Sequence, residues 1–297
     1  MTMRKKDYAN TWLLYGGNGW IGTQVLKLLQ DDPKNTIHVS KLRIIPSNIK
    51  EIENEIKEYN NIMCFVGRTH GKDCNTIDYL EGEGKLVENI NDNLYSPMTL
   101  AILAHKHQKH LTYMGTGCIF SYNETTPTDG YHEESLPDFF GSSYSIVKGY
   151  TDTLMHMYED TVLNVRIRMP IVDHDCNRNF ITKIVSYDKV VDIPNSMTVL
   201  PELLPMMINL ATNKFTGTIN LTNPGAISHN KVLEMYKKHV DPEFTWKNFS
   251  ILEQNKVLKS KRSNNTLDAT KLQLLYPQVK NIEDSLENLF KNYNSEI

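Results

Sequence analysis

Two short patterns in the chain have the residue types and spacing for hydride and proton transfer at a carbonyl. The first is Gly16-Gly17-Asn18-Gly19-Trp20-Ile21-Gly22, in which Gly16, Gly19 and Gly22 fit G-x-x-G-x-x-G. It follows an apolar stretch, Thr11 to Tyr15, and opens a segment with helical spacing at Val25, Leu26, Leu28 and Leu29. Glycines in that setting permit a tight turn and let a pyrophosphate approach backbone N–H groups at a helix N-terminus, with Trp20 and Ile21 in its first turn. The second is Tyr144-Ser145-Ile146-Val147-Lys148, a Y-x-x-x-K pair. On a helix, residues i and i+4 share a face, so the spacing predicts an ammonium near a phenol, which draws the phenol's pKa towards neutrality. Met114-Gly115-Thr116-Gly117-Cys118 ends a strand, read as the fifth, and the ends of such strands are where α/β sheets present catalytic groups. Thr116 can donate to a carbonyl oxygen there. Taken alone, each pattern also suits a plain tight turn or a solvated helix face.

The elements around these residues alternate. Strand-like stretches at Thr11 to Tyr15, Ile37 to Val39, Ile62 to Val66, Leu111 to Met114 and Leu163 to Met169 are separated by helical patterns at Ile49 to Tyr59, Asn89 to His107 and Tyr144 to Tyr158. That rhythm predicts an α/β fold with a Rossmann-type doubly wound parallel sheet over residues 1–170, brought to seven strands by segments beyond them. Residues 171–297 are expected mainly to form a smaller C-terminal substrate-binding cap, with some segments returning to the sheet. Helical patterns there cover Phe180 to Tyr187, Pro201 to Ala211, a stretch capped by Ser228 running to His239, one begun at Leu267-Asp268 with Asp268 as cap, and Ile282 to Phe290. Met197 to Leu200 and Thr218 to Leu221 read as extended.

After the second strand the chain reads Ser40-Lys41-Leu42-Arg43, without the acidic residue that would hold an adenosine ribose diol. Basic residues there favour the 2′-phosphate of NADPH, with Arg43 ahead of Lys41 and NADH as the alternative.

The chain has 297 residues, 23% of them charged, and a formal net charge of −3. No basic stripe points to nucleic acid, and no apolar run is long enough to span a membrane. The basic start is followed by an apolar stretch that glycines interrupt, unlike a secretory leader. Four scattered cysteines without a C-x-x-C pair suggest a reduced, cytoplasmic protein. No metal site is expected: His105 and His107, near a helix end with His110, do not share a helix face, cations near a helix C-terminus suit its dipole, and Gly82-Glu83-Gly84-Lys85 lacks Walker A spacing.

The glycine loop, Thr116, Tyr144 and Lys148 together resemble an extended short-chain dehydrogenase/reductase, with Asn93 where that family keeps an Asn on its fourth helix. Longer motifs resemble one subfamily, the nucleotide-rhamnose synthase/epimerase-reductases. They are Gly115-Thr116-Gly117-Cys118-Ile119-Phe120, Arg166-Ile167-Arg168-Met169-Pro170-Ile171, Arg178-Asn179-Phe180-Ile181-Thr182-Lys183, Phe244-Thr245-Trp246-Lys247-Asn248-Phe249 and Arg262-Ser263-Asn264-Asn265. The resemblance implies 3,5-epimerisation of UDP-4-keto-6-deoxy-D-glucose and then 4-reduction by NADPH to UDP-L-rhamnose. It assigns acid/base work to Cys118 with Lys183 as partner and places His174-Asp175-Cys176 in a substrate loop. Pro170 is a candidate on the cofactor side and Asn179 and Trp246 on the substrate side, while Arg262, ahead of the Leu267-Asp268 helix, is expected on the diphosphate because a guanidinium matches phosphate geometry. A separate 4,6-dehydratase would supply the substrate, and a homodimer would form through the helices holding Asn93 and Tyr144. Gly67-Arg68-Thr69-His70-Gly71 departs from the family's Asn-Ala-Ala-Gly-like turn and sets the charged Arg68 beside the expected cofactor. Other readings are a plain dTDP-4-dehydrorhamnose-type 4-reductase, against which Cys118 and Lys183 stand, and a non-catalytic reductase-like regulatory subunit, against which Thr116, Tyr144 and Lys148 stand. UDP against dTDP stays open at this point.

Overall fold

The computed structural model describes residues 10–72, 74–124 and 126–294, so the basic start of the chain lies outside the described residues. From β1 (Asn10–Tyr15) the chain runs through α1 (Trp20–Gln30), β2 (Asn35–Val39), α2 (Ile49–Glu58), β3 (Asn61–Cys64), α3 (Lys85–Ile90), α4 (Ser96–Lys106), β4 (His110–Thr116), α5 (Ser143–Met155) and β5 (Val162–Ile167). It continues through β6 (Pro170–Ile171), α6 (Phe180–Val185), β7 (Lys189–Val190), β8 (Thr198–Val199), α7 (Leu200–Thr212), β9 (Gly217–Asn220), α8 (His229–His239), β10 (Lys247–Asn248), α9 (Ile251–Val257), α10 (Thr270–Leu275) and α11 (Ile282–Phe290).

Six strands form one sheet in the order β2-β1-β3-β4-β5-β9, every neighbouring pair parallel. This is the Rossmann-type α/β arrangement. A parallel sheet covered by helices needs strands that are apolar on both faces, and β1 meets that requirement. Its Trp12 and Leu14 join a core with Val25 of α1 and Leu203 of α7, while Leu13 and Tyr15 join a second core with Ile52 of α2 and Leu100 of α4. The order reverses direction between β1 and β3, and in such sheets ligands bind in the crevice beyond the carboxyl ends of the strands at that point.

Several expectations change. The sheet has six strands, not seven: of the seven extended stretches, Met197 to Leu200 contributes only Thr198–Val199, which pairs with Pro170–Ile171 as a separate two-residue ladder. The strand ending in Thr116 is the fourth, not the fifth, since only β1, β2 and β3 precede it. The long helix expected from Asn89 to His107 is α3 and α4 joined by a π-helical turn, Asn91–Tyr95. Ala269, not Asp268, caps α10; the Asp268 carboxylate, one residue earlier, accepts from the Thr270 N–H at 2.7 Å. The short β10 and α9 escaped notice because two to seven residues carry too little periodicity. A third core, including Ile181, Val199, Leu233 and Leu286, lies wholly beyond residue 170, whereas α7, β9 and Leu272 of α10 pack on the sheet.

The helix carrying Tyr144 and Lys148 is fastened to the sheet by charge. Arg166 of β5 is fully buried and meets Asp152 of α5 through two bonds, Nε to Oδ1 at 2.8 Å and Nη2 to Oδ2 at 2.6 Å. Asn164 Nδ2 donates to the same carboxylate at 2.8 Å, and Arg166 Nη1 donates to the His132 carbonyl at 3.0 Å. Removing one partner of such a pair strands a buried charge. Asp152→Ala is expected to lower stability by about 3–5 kcal/mol in urea unfolding, and a loss below about 1 kcal/mol would show that the pair does not fasten the helix.

Candidate active site

The glycine loop spans β1 and α1. Gly16 has φ +77°, and a Cβ there would sit 2.9 Å from the Phe65 carbonyl carbon and the Val66 nitrogen. A Cβ on Gly22 would lie 2.4 Å from the Gly16 oxygen, so the loop folds back on the helix it opens. Gly19 caps α1 without a side-chain bond, and Trp20 and Ile21 begin the helix half-buried against the first core. The cradle fits a pyrophosphate: small, glycine-lined and at a helix N-terminus. Gly17, outside the spaced triplet, also matters, because its Cβ would press on Val39 at 3.0 Å and hold the loop away from β2.

At the end of β2 stands Ser40, whose N–H donates to the Leu14 carbonyl at 3.0 Å. A carboxylate does approach from α2, but Glu55 is engaged by Tyr15 Oη at 2.8 Å and Ser40 Oγ at 2.7 Å. Lys41 and Arg43 are exposed, and among the described residues neither charge has an ion-pair partner. The Arg68 side chain is held by a carboxylate. Its guanidinium pairs with Asp92 at 2.8 Å, and its backbone is clamped by Asn93, which accepts from the Arg68 N–H at 2.9 Å and donates to the Arg68 carbonyl at 2.8 Å. The π-helical turn supplies that Asn93, and its displaced carbonyl accepts from Thr151 Oγ1 of α5 at 2.7 Å.

A cavity of about 800 Å³ opens beyond β4, lined by Cys118, Tyr144, Lys183, Met169, Asp78 and Arg262 among others. Thr116 closes β4 beneath it and accepts from the Cys118 N–H at 3.1 Å. Between them Gly117 is packed so closely that a Cβ would meet Leu267 at 2.6 Å and Arg168 at 2.9 Å. Ser142 caps α5 by accepting from the Ser145 N–H at 3.0 Å, which fixes Tyr144 in the first turn. Burial raises the Tyr144 phenol's pKa, Cys118 beside it adds to the rise, and Thr116 and Arg178 oppose it.

Lys148 makes no hydrogen bond to Tyr144, although the two share a helix face as the spacing suggested. Its Nζ donates to the Tyr113 hydroxyl of β4 and to the Met114 carbonyl at 3.3 Å, and burial pushes its amine down to about 8. The shared helix face fixes only where the stem begins; the flexible stem carries Nζ to acceptors on the sheet.

Cys118 and Lys183 face one cavity from different elements, the β4 end and α6, with no contact between them. The group touching the Cys118 sulfur is Arg168, whose Nη1 donates to Sγ at 3.7 Å and to the Gly117 carbonyl at 2.9 Å. Arg168 is buried, and among the described residues no carboxylate pairs with it; Asn195 Oδ1 and the Ser263 carbonyl at 3.1 Å take its other bonds. Lys183 is pushed down to about 8, first by burial and then by Arg178.

Asn179 and Trp246 do not reach the cavity. Asn179 is fully buried as the cap of α6, its amide donating to the Val172 and His174 carbonyls and to Tyr293 Oη, and its oxygen accepting from the Ile181 N–H at 3.2 Å. Trp246 stacks on Phe244 and donates to Asn230 Oδ1 at 2.8 Å within the third core. Arg262 does line the cavity, held by Asp78 through bonds of 3.0 and 2.8 Å, which also keep the Asp78 carboxyl below its usual range. Pro170 lies half-buried just after Met169, a residue with φ +39° at the cavity wall. His105, His107 and His110 bond to three separate groups, Asp160, Glu53 and the Phe215 carbonyl.

No family model matches the chain. The crystal structure of the L780 UDP-rhamnose synthase of Acanthamoeba polyphaga mimivirus superposes with a TM-score of 0.90 at 46% identity, covering 95% of this chain and 99% of that one. A bifunctional dTDP-4-dehydrorhamnose 3,5-epimerase/dTDP-4-dehydrorhamnose reductase of Arabidopsis thaliana is 42% identical over 281 residues, 93% of this chain and 90% of the relative. A trifunctional UDP-glucose 4,6-dehydratase/UDP-4-keto-6-deoxy-D-glucose 3,5-epimerase/UDP-4-keto-L-rhamnose-reductase of the same plant is 40% identical over 285 residues, 93% of this chain but 41% of the relative. The dTDP-4-dehydrorhamnose reductase of Yersinia enterocolitica shares the fold, with a TM-score of 0.77 at 18% identity over 96% of this chain and 99% of that one.

Proposed function

The chain belongs to the nucleotide-rhamnose 3,5-epimerase/4-reductase family of the extended short-chain dehydrogenase/reductases, and from that premise we propose that it converts UDP-4-keto-6-deoxy-D-glucose to UDP-L-rhamnose with NADPH. The observation that carries this reading is the meeting of Cys118, Tyr144 and Lys183 on one cavity. A plain 4-reductase needs only the tyrosine.

The ketone at C4 acidifies the protons at C3 and C5. Inverting each carbon takes a base on one face and an acid on the other. Cys118 on the β4 end and Lys183 on α6 supply two such groups from different walls. Lys183, with its amine near 8, can lose and regain a proton close to neutral pH. Thr116 and Tyr144 serve the C4 oxygen, first as the enolate and then as the alkoxide. A phenol whose pKa burial has raised stays protonated at neutral pH, which is the form that donates. Arg262, oriented by Asp78, is proposed for the diphosphate, since a guanidinium matches phosphate geometry. The glycine cradle, Trp20, Ile21 and Pro170 are proposed to hold the dinucleotide, which supplies the hydride that C4 receives.

The two reactions separate by mutation. Tyr144→Phe should nearly stop NADPH oxidation. Cys118→Ala should keep cofactor binding but slow exchange of the C3 and C5 protons by about 10²–10⁴-fold, the usual contribution of a general acid–base group. The check is incubation in D₂O without NADPH, followed by NMR at C3 and C5. Exchange at the parental rate in Cys118→Ala would reduce the reading to a 4-reductase.

NADPH over NADH is proposed from the unpartnered Arg43 and the serine at the end of β2. Arg43→Ala should raise KM for NADPH about tenfold and leave KM for NADH nearly unchanged; equal effects would remove Arg43 from the 2′-phosphate.

A 4,6-dehydratase activity must make the 4-keto substrate, and the trifunctional relatives carry one in their names. The four cysteines, all free, support a reducing, cytoplasmic setting, and among the described residues no helix is long and apolar enough to cross a membrane. A homodimer through α3 to α5 is proposed on the exposed Leu86, Val87, Ile90, Tyr150 and Leu154 of that face. Sedimentation at micromolar concentration should give twice the chain mass; a monomer would reject the dimer.

A further inference from the structure

Under the Tyr144 end of the cavity lies a second phenol that the family pattern does not use. Tyr113 stands in the middle of β4, almost fully buried, opposite Cys64 of β3 and Asn164 of β5. Its hydroxyl accepts a hydrogen bond from Lys148 Nζ, and its ring centroid lies 4.5 Å from that nitrogen. Among the described residues the only other acceptor for this ammonium is the Met114 carbonyl.

The remaining groups that face Lys148 are committed elsewhere or carry no charge. Asp152, on the same helix, is taken by Arg166. Cys64, from β3, is fully buried, and burial pushes its thiol up to about 11, so it stays neutral. Cys118 reaches Lys148 from the loop after β4 only through space, its sulfur bonded by Arg168. Tyr113 itself is held neutral, since burial raises its phenol well above the ordinary value. It meets the ammonium as an oriented dipole and as a ring face.

We propose that Tyr113 is a positioning residue for the reduction, giving Lys148 the acceptor that keeps it charged and aimed beneath Tyr144. The inference rests on the reading of Lys148 as part of the proton-transfer set. A buried ammonium is costly unless its N–H groups find acceptors. Burial already brings the Lys148 amine down to about 8, so its charge is full below that pH and is lost as pH rises through it. Taking away one of two acceptors favours the neutral amine and moves that loss to lower pH.

The test is the pH profile of kcat for NADPH oxidation with the 4-keto sugar, from about pH 6 to 9.5, in the full chain, Tyr113→Phe and Lys148→Met. Phe keeps the ring in the core and removes only the hydroxyl. In Tyr113→Phe the alkaline limb should fall about one pH unit lower, a tenfold change in the protonation equilibrium, with the rate at about pH 6 within twofold of the parent. A role in packing alone would lower the rate at every pH and leave the limb in place; that result, or an unchanged profile, overturns the proposal. Should Lys148→Met keep the parental rate and profile, the reading of Lys148 itself falls and the inference falls with it.

Discussion

Charge taken out of water has to be answered inside the protein, and three buried cations at the carboxyl end of the sheet set terms that the surrounding elements meet. Arg166 receives a carboxylate, and that pair binds α5 to β5. Lys148 receives a phenol and a carbonyl, and those bonds tie α5 to β4. Arg168 receives carbonyls, an amide oxygen and a sulfur from three stretches of chain: the turn after β4, Asn195, and Ser263. Each cation therefore joins elements distant in sequence. Together they hold the β4 end, the body of α5 and the wall around Ser263 as one piece.

That rigidity suits the proposed chemistry. Epimerisation asks for a base and an acid on opposite faces of a sugar ring, and reduction asks for a proton donor at the same C4 oxygen. A site that moved between the two tasks would need different positions for one ring. Here Cys118, Tyr144 and Lys183 line one cavity, with Thr116 beneath it, and the ionisation of Tyr144 and Lys183 is set apart by surroundings. Tyr144 is driven towards the protonated form by burial, while Lys183 is drawn down to about 8. Divergent protonation in neighbouring groups is what separates acid from base in a single pocket.

What could be read in the chain was local. Gly16, Gly19 and Gly22 announce their turn by spacing, and Tyr144 and Lys148 announce a shared helix face. What could not be read was the choice of partner. Lys148 chose a tyrosine 35 residues away on another strand. Asn179 looked like a ligand because it is polar and stands among substrate motifs, yet a short amide ahead of a helix satisfies that helix first. The seventh strand failed for a similar reason: whether a short extended stretch joins a large sheet or a two-residue ladder depends on neighbours the stretch does not encode. One signal was available for Arg168. Arg166 interrupts the largely apolar β5 and Arg168 follows its end, and a charge in or just past a strand buried on both faces marks a place where the interior supplies something to bind.

Gly117 carries a consequence for descent. It separates the threonine proposed to serve the carbonyl from the cysteine proposed for epimerisation, and it is walled in by Leu267 and the stem of Arg168. No larger residue fits the spacer without displacing a distant part of the chain, whereas the half-exposed position 118 beside it faces the cavity. A lineage with this fold can therefore exchange the side chain at 118 by single codon changes while the backbone that presents it stays frozen. With Cys118 in its proposed role, loss or recovery of one of two activities becomes a short evolutionary step, taken at one residue and leaving almost no trace in the shape of the protein.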